Sequence, residues 1–282
     1  MQPFQGIVFK SSVVTTLLFC LLASPAFAAA KESVYDRVMR TRTLRCGYFE
    51  EVPFTNIDPN TNKKSGIAVE LAETLAAQLD VKLEWTEAVN FGTLVTDLEN
   101  GRYDAICASV FNIPRAGHID YTTPYIYVPS YPYVRVGEER FDSDLSAIND
   151  KKVTMSLLDG EGSSTIARRT YPNAKQYTLP QLSEISQMLL AVADKKADVG
   201  FVLPSVFAQF DKNNPGKLKK VESKDPFYVF SVSFAMRPDE PAFKNMLDMT
   251  IRQLIASGEI DRLIDKYEES PGMFLRVAKP YR

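Results

Sequence analysis

Histidine is almost absent from this 282-residue chain, where His118 stands alone. That excludes multi-histidine zinc sites, and any Ser-His-Asp or Cys-His catalyst would have to be built on that one residue. Three cysteines fall short of a four-thiolate metal site. Charge of one sign is also lacking: 33 Lys and Arg oppose 35 Asp and Glu, for a net charge of −2. A basic nucleic-acid binder and a highly charged disordered tail are thereby ruled out. No apolar run approaches the roughly 20 residues that cross a bilayer. There is no tandem repeat and no low-complexity tract. What is present is 45% hydrophobic residues, ample for a core, at a length that suits one large domain or two of ordinary size.

The N-terminus carries one cation, Lys10, and turns apolar through Ser11–Leu22, densest at Leu17–Ala23. Ser24-Pro25 breaks the run, and Ala26-Phe27-Ala28 offers small residues at −3 and −1, as a signal peptidase requires. The pattern predicts a cleaved export signal over residues 1–28, with Ala30 as the alternative cleavage position. Phe19 before Cys20 argues against lipidation there. Export leaves Cys46 and Cys107 in a compartment that permits disulfides.

Beyond the signal, strands and helices alternate. Leu44–Phe49 reads as a strand, and a turn-rich stretch from Pro53 to Ser65 follows. Ile67, Leu71, Leu75 and Leu79 recur every four residues, which predicts a helix capped by Ser65. Val81–Thr86 alternates with period two, as a half-buried strand does. Asn90 is the expected cap of a short helix bearing Phe91, Leu94, Val95 and Leu98, stopped at Gly101. Tyr103–Cys107 is the next strand. The pattern then restarts with a strand at Lys152–Leu157 and a Gly/Ser turn at Gly160–Ser164. A helix with Leu182, Ile185, Met188, Leu189 and Val192 comes next, then a strand at Ala197–Val202. Two amphipathic helices close the chain, from Pro241 to before Gly258 and through Ile260–Tyr267. Such alternation signals parallel α/β sheets. Two β-prone segments, Ser130–Val136 and Phe230–Met236, suit strands that cross twice between two units and make the first unit discontinuous.

Five blocks in order carry a family resemblance. They are Ser65–Leu71 with Leu75–Leu79, Gly101–Ile106, Pro114-Arg115-Ala116 with Asp120–Tyr125, Lys196-Ala197-Asp198, and Gly258-Glu259-Ile260 with Lys266-Tyr267. Together they resemble the family 3 extracellular solute-binding proteins, the periplasmic receptors of polar amino-acid ABC importers. The resemblance implies an α/β, two-lobed periplasmic-binding-protein fold of type II, a Venus-flytrap with two hinge strands. It places lobe 1 at 29–134 and 236–282 and lobe 2 at 135–235. It also implies a monomer that uses no cofactor or metal, does no chemistry, and passes a small carboxylate-bearing solute to a membrane permease.

By the same resemblance Arg115 clamps the solute carboxylate, since a guanidinium fork matches a carboxylate bidentately. Ser109, with Asn112 on the same loop, lies where ligands meet the carboxyl edge of an α/β sheet. Gly162, Ser163 and Ser164 look like the family's Gly-Thr-Thr turn, whose backbone N–H groups at a helix start attract anions. Phe91 matches the ring that stacks on the ligand, though its spacing also suits a core position. The sequence departs from the family at three points. Leu203 stands where an aspartate often holds the ligand's amino group, Ala68 replaces an acidic residue, and Glu51 replaces an aromatic. Either Glu51 or Glu161 substitutes for the missing acid, or the solute has no amino group. Two other functions suit the same fold: a cyclohexadienyl-dehydratase-like enzyme using Glu161 or Glu51 as its acid, and a ligand-binding partner of a sensor. Cys46 and Cys107 fall on strands that a doubly wound lobe sets side by side, either bridged or as two small core residues. His118 is expected on the surface.

Overall fold

Each half of the chain repeats one strand arrangement. The computed structural model describes residues 32–110 and 115–279 with isolated positions 1, 3 and 6, and the side chains of 108–110 are not among those described. The export signal predicted over residues 1–28, its alternative cleavage at Ala30, and Asn112 lie outside the described residues.

In the first half the elements are α1 (Val34–Thr41), β1 (Thr43–Tyr48), β2 (Asn56–Ile57), β3 (Lys64–Ser65), α2 (Ile67–Gln78), β4 (Lys82–Ala88), α3 (Leu94–Glu99), β5 (Ala105–Val110) and β6 (Asp120–Tyr121). The crossing strand β7 (Ile126–Arg135) leads into β8 (Thr154–Leu158), α4 (Gly162–Thr170), β9 (Lys175–Leu179), α5 (Ser186–Ala193), β10 (Val199–Val202), α6 (Pro204–Asn213) and β11 (Leu218–Lys220). The second crossing strand, β12 (Tyr228–Met236), returns the chain to α7 (Pro241–Ala256) and α8 (Glu259–Tyr267). The strand order is β4-β1-β5-β12-β7-β10-β8-β9. β1 lies parallel between β4 and β5, and β8 lies parallel between β9 and β10. Both halves therefore have the first strand in the middle, the second outside it and the third inside it. β7 and β12 join them as an antiparallel pair running from Tyr228↔Ser130 to Val232↔Ile126. This is the two-lobed type II architecture that the sequence leads one to expect.

Apolar periodicity places the helices. Ile67, Leu71 and Leu75 of α2, Phe243, Leu247, Ile251 and Leu254 of α7, and Ile260, Leu263 and Ile264 of α8 are buried in one cluster against the first half of the sheet. In the second half, alternation along the strands feeds two faces. Met155, Leu157, Val199 and Phe201 pack with Ala167 of α4, whereas Leu158 and Val202 pack with Met188, Leu189 and Val192 of α5.

Two aspartates, Asp104 buried and Asp198 half-buried, tie strand to strand at equivalent places. Asp104, just before β5, accepts from the Arg45 backbone N–H at 2.7 Å and from the Arg45 guanidinium at 2.9 Å, and also pairs with Arg37. Asp198, just before β10, accepts from the Thr154 N–H at 2.9 Å and from Arg135 at 3.2 Å. Each holds the third strand of its unit to the first.

Three local expectations change in the fold. Ser65 belongs to β3, and the start of α2 is set by Gly66, at φ +126°. The Ile67 and Ala68 N–H groups donate to the Pro53 and Phe54 carbonyls at 2.9 and 3.0 Å, so no serine cap is needed. A Cβ at Gly66 would lie 2.4 Å from the Phe54 carbonyl oxygen. Phe91 precedes α3 rather than opening it. Asn90 accepts from the Gly92 N–H at 2.7 Å and holds residues 91–93 as a turn, so α3 begins at Leu94. Leu182 lies before α5 and is 79% exposed.

Cys46 and Cys107 form a disulfide between buried positions on neighbouring parallel strands, with Cα atoms 5.6 Å apart. Cys46 pairs across with Ala105, so Cys107 is its diagonal partner. No described helix is long and apolar enough to cross a membrane.

Two measurements check this architecture. Thiol titration of the unfolded, unreduced protein should find neither Cys46 nor Cys107 reactive, and reduction should lower the unfolding free energy by about 2–4 kcal/mol. Gly66→Ala should lower it by at least about 2 kcal/mol in denaturant titration. Both the backbone conformation and the carbonyl contact oppose a side chain there.

Candidate functional site

Four strand ends converge on one cleft. After β1 the chain delivers Phe49, Glu51 and Phe54. Beyond β5 it delivers Arg115. After β8 it delivers Glu161 and Gly162, and at the end of β10 Val202 and Leu203. Phe91, Ile185, Val206, Phe230 and Val232 complete the wall, and the cleft holds about 710 Å³ of empty space counted to its open mouth. The carboxyl ends of parallel strands beside the switch in strand order are where α/β sheets bind ligands, because loops diverge there and leave a crevice. Here two such crevices face one another.

The predicted residues separate into two groups. Arg115, Glu51, Phe91 and Gly162 line the cleft. Arg115 donates to the Gly160 carbonyl at 2.6 Å and so reaches across from the first half to the second. Its guanidinium carbon lies 5.7 Å from the centre of the Phe91 ring, which stacks on Phe49 at 4.9 Å between centroids. Phe91 is thus at the cleft because it sits on the turn before α3, rather than on the apolar stripe of the helix.

Ser163 and Ser164 belong to the other group. Both are fully buried. The Ser163 hydroxyl lies 3.0 Å from that of Ser130 on β7, and the Ser164 hydroxyl accepts from the Leu158 N–H at 2.9 Å. Their backbone N–H groups donate to Glu161 at 2.8 and 2.7 Å. The acid that caps α4 therefore already occupies the anion-attracting helix terminus. Ser109 lies on β5 opposite Ser233 of β12; its side chain is outside those described. His118 is exposed.

Burial sets the electrostatics. Desolvation, reinforced by the Glu161 charge, pushes the Glu51 carboxyl up to about 7. Desolvation also raises Glu161, against the lowering effect of its two N–H donors. Loss of solvent lowers Arg115, while Tyr121 and Glu161 act in the opposite sense. The cleft is an apolar chamber with one guanidinium and two reluctant acids among its described lining residues. It can hold a small amphoteric solute whose carbon skeleton prefers aromatic and aliphatic walls.

Sequence reasoning missed much of that wall. Phe49 and Phe54 lie next to a recognisable strand end and were within reach, as was Leu203, which the sequence marks only for the acid it lacks. Phe230 and Val232 were not, because they face the cleft from the crossing strand β12, and its pairing decides which residues do so.

Comparison with known proteins agrees with this arrangement. The profile of the bacterial extracellular solute-binding proteins, family 3, matches residues 44–270. The amino-acid-binding protein AabA of Dichelobacter nodosus is 28% identical over 94% of this chain and 98% of its own length. Membrane-bound lytic murein transglycosylase F of Aeromonas hydrophila is 22% identical over 92% of this chain, which spans 51% of that protein. Among solved structures, the ancestral amino acid-binding protein AncCDT-1, a precursor of cyclohexadienyl dehydratase, aligns with a TM-score of 0.71. It is 23% identical, over 84% of this chain and 99% of its own, which speaks to the fold alone. With four-fifths of its length matched and the facing strand-end crevices in place, the chain belongs to the bacterial extracellular solute-binding proteins of family 3.

Proposed function

We propose that this protein is a periplasmic receptor that binds a small carboxylate-bearing solute, an amino acid or a close relative, and delivers it to the membrane permease of an ABC importer. One observation carries the reading. Arg115 projects from one half into an apolar cleft closed by the other, with its guanidinium against Gly160 and near the Phe91 ring. A desolvated guanidinium favours a bidentate anion, and a carboxylate fits its fork. Membership of the family and the likeness to AabA support the receptor role. Hinge closure would link the solute to the permease, since both halves present one docking face only when closed. In this reading lobe 1 comprises 29–134 and 236–282, lobe 2 comprises 135–235, and the protein works as a monomer after cleavage of residues 1–28.

A second reading rests on Glu51. An acid held near neutrality in an apolar cleft is what general-acid catalysis needs, so a dehydratase-like activity on a cyclohexadienyl acid is the alternative.

A thermal-shift screen of the mature protein against amino acids, 2-oxo acids, dicarboxylates and prephenate separates these readings. A solute at 100 times its Kd should add about 2.7 kcal/mol of stability. Arg115→Ala should weaken the best hit by about 10- to 100-fold, the worth of a charge-assisted hydrogen bond. Equal binding by that variant would refute the carboxylate clamp. Consumption of prephenate, followed by its absorbance, would replace the receptor reading with the enzymatic one.

A further inference from the structure

The cleft wall is apolar, yet an acid enters it from each half. Glu51 comes from the tight turn at Val52-Pro53, where its backbone pairs with Thr55 at 3.0 and 2.9 Å. Glu161 comes from the start of α4. Both line the same chamber as Arg115. The two Glu161 oxygens accept one N–H each, from Ser163 and Ser164, so each keeps a lone pair directed elsewhere. Among the described residues no hydrogen bond reaches the Glu51 carboxylate. Two carboxylates lining one apolar chamber, close enough for the charge of Glu161 to act on Glu51, are stabilised by a cation between them.

A primary ammonium meets that need better than a guanidinium. It is compact and carries three donors, enough to engage oxygens from both sides at once. Leu203, on the same wall, offers no acid. The wall beyond is hydrocarbon: Phe49, Phe54, Leu203 and Val206 among others. We propose that Glu51 and Glu161 together hold the α-ammonium group of the solute opposite Arg115, and that the solute is an α-amino acid with an apolar side chain. This deepens the receptor reading and rests on it.

The groups that face Glu51 determine its pH behaviour. Glu161 faces it from α4 and Arg115 from beyond β5, Tyr121 of β6 acts on Arg115, and Lys212 and Glu269, 3.1 Å apart, line the hollow behind Val52-Pro53. Raised to about 7, Glu51 holds a proton below neutrality and must release it to accept from an ammonium. Affinity therefore rises with pH up to about 7 and levels off above it. In the ligand-free protein the sign is opposite. A carboxyl with a raised folded-state value contributes stability at low pH, and that contribution is lost as pH climbs from its ordinary 4.5 to about 7.

Calorimetric titration of the mature protein tests this with L-leucine and L-phenylalanine against 4-methyl-2-oxopentanoate and phenylpyruvate, which share the carbon skeletons and lack the ammonium. At pH 7.5 at least one amino acid should bind ten or more times tighter than its 2-oxo acid. Glu51→Gln, nearly isosteric and with Tm as its folding control, should erase that preference and flatten the pH dependence between 5.5 and 7.5. Glu51→Asp should restore part of both. Equal binding of amino and 2-oxo acids, or a preference untouched by Glu51→Gln, overturns the ammonium site. If Arg115→Ala still weakens binding by about 10- to 100-fold in that case, the carboxylate receptor survives it. Failure of both apolar amino acids alongside tight binding of a charged one overturns the apolar assignment.

Discussion

The antiparallel pairing of β7 with β12 is the constraint on which the rest depends. Five residue pairs, from Tyr228↔Ser130 to Val232↔Ile126, fuse two parallel sheets into one. Because both strands cross, the carboxyl ends of β1, β5, β8 and β10 face each other over a single cleft. Ser130 on β7 meets Ser163 in the first turn of α4, so this crossing also fixes the helix that carries Glu161. Crossing strands that pair with each other keep their backbone hydrogen bonds satisfied.

Each half achieves strand alignment by the same device. Asp104 and Asp198 each precede a third strand and accept a backbone N–H from the first. Charged neighbours on both, Arg45 and Arg37 on buried Asp104 and Arg135 and Arg140 on half-buried Asp198, offset the cost of withdrawing the carboxylate from water. In the first half the Cys46–Cys107 bridge adds a covalent tie across β1 and β5, the strands that lead to Glu51 and Arg115. Glu161 already neutralises the positive end of α4 and closes it to a second anion, which leaves Arg115 as the cation among the described lining residues of the cleft.

Strong local patterns were legible in the sequence. The four-residue spacing from Ile67 to Leu75 gave α2, Pro241 opened α7, and Gly101, at φ +68°, follows α3. The motif around Arg115 placed a cation at the cleft. What failed were inferences about which side chain answers which backbone group. Ser65 looked like a cap, yet the N–H groups of α2 bond to carbonyls of the Pro53–Phe54 turn. Ser163 and Ser164 looked like an anion cradle, yet their N–H groups bond to the Glu161 carboxylate. Local sequence names the groups available, and competition among them is decided by the chain path that brings one partner closer.

The sequence by itself determined the alternation of strand and helix, the family, and the chemical character of the residues after each strand. Period-two and period-3.6 burial is a local property of the backbone, so it can be read along the chain. Tertiary structure alone decided that Glu51 and Glu161 share one chamber with Arg115, more than a hundred residues separating the two acids in sequence. It also decided that Phe230 and Val232 form part of the wall. Those outcomes depend on the register of β7 against β12 and on burial that raises both acids, neither of which any local window contains.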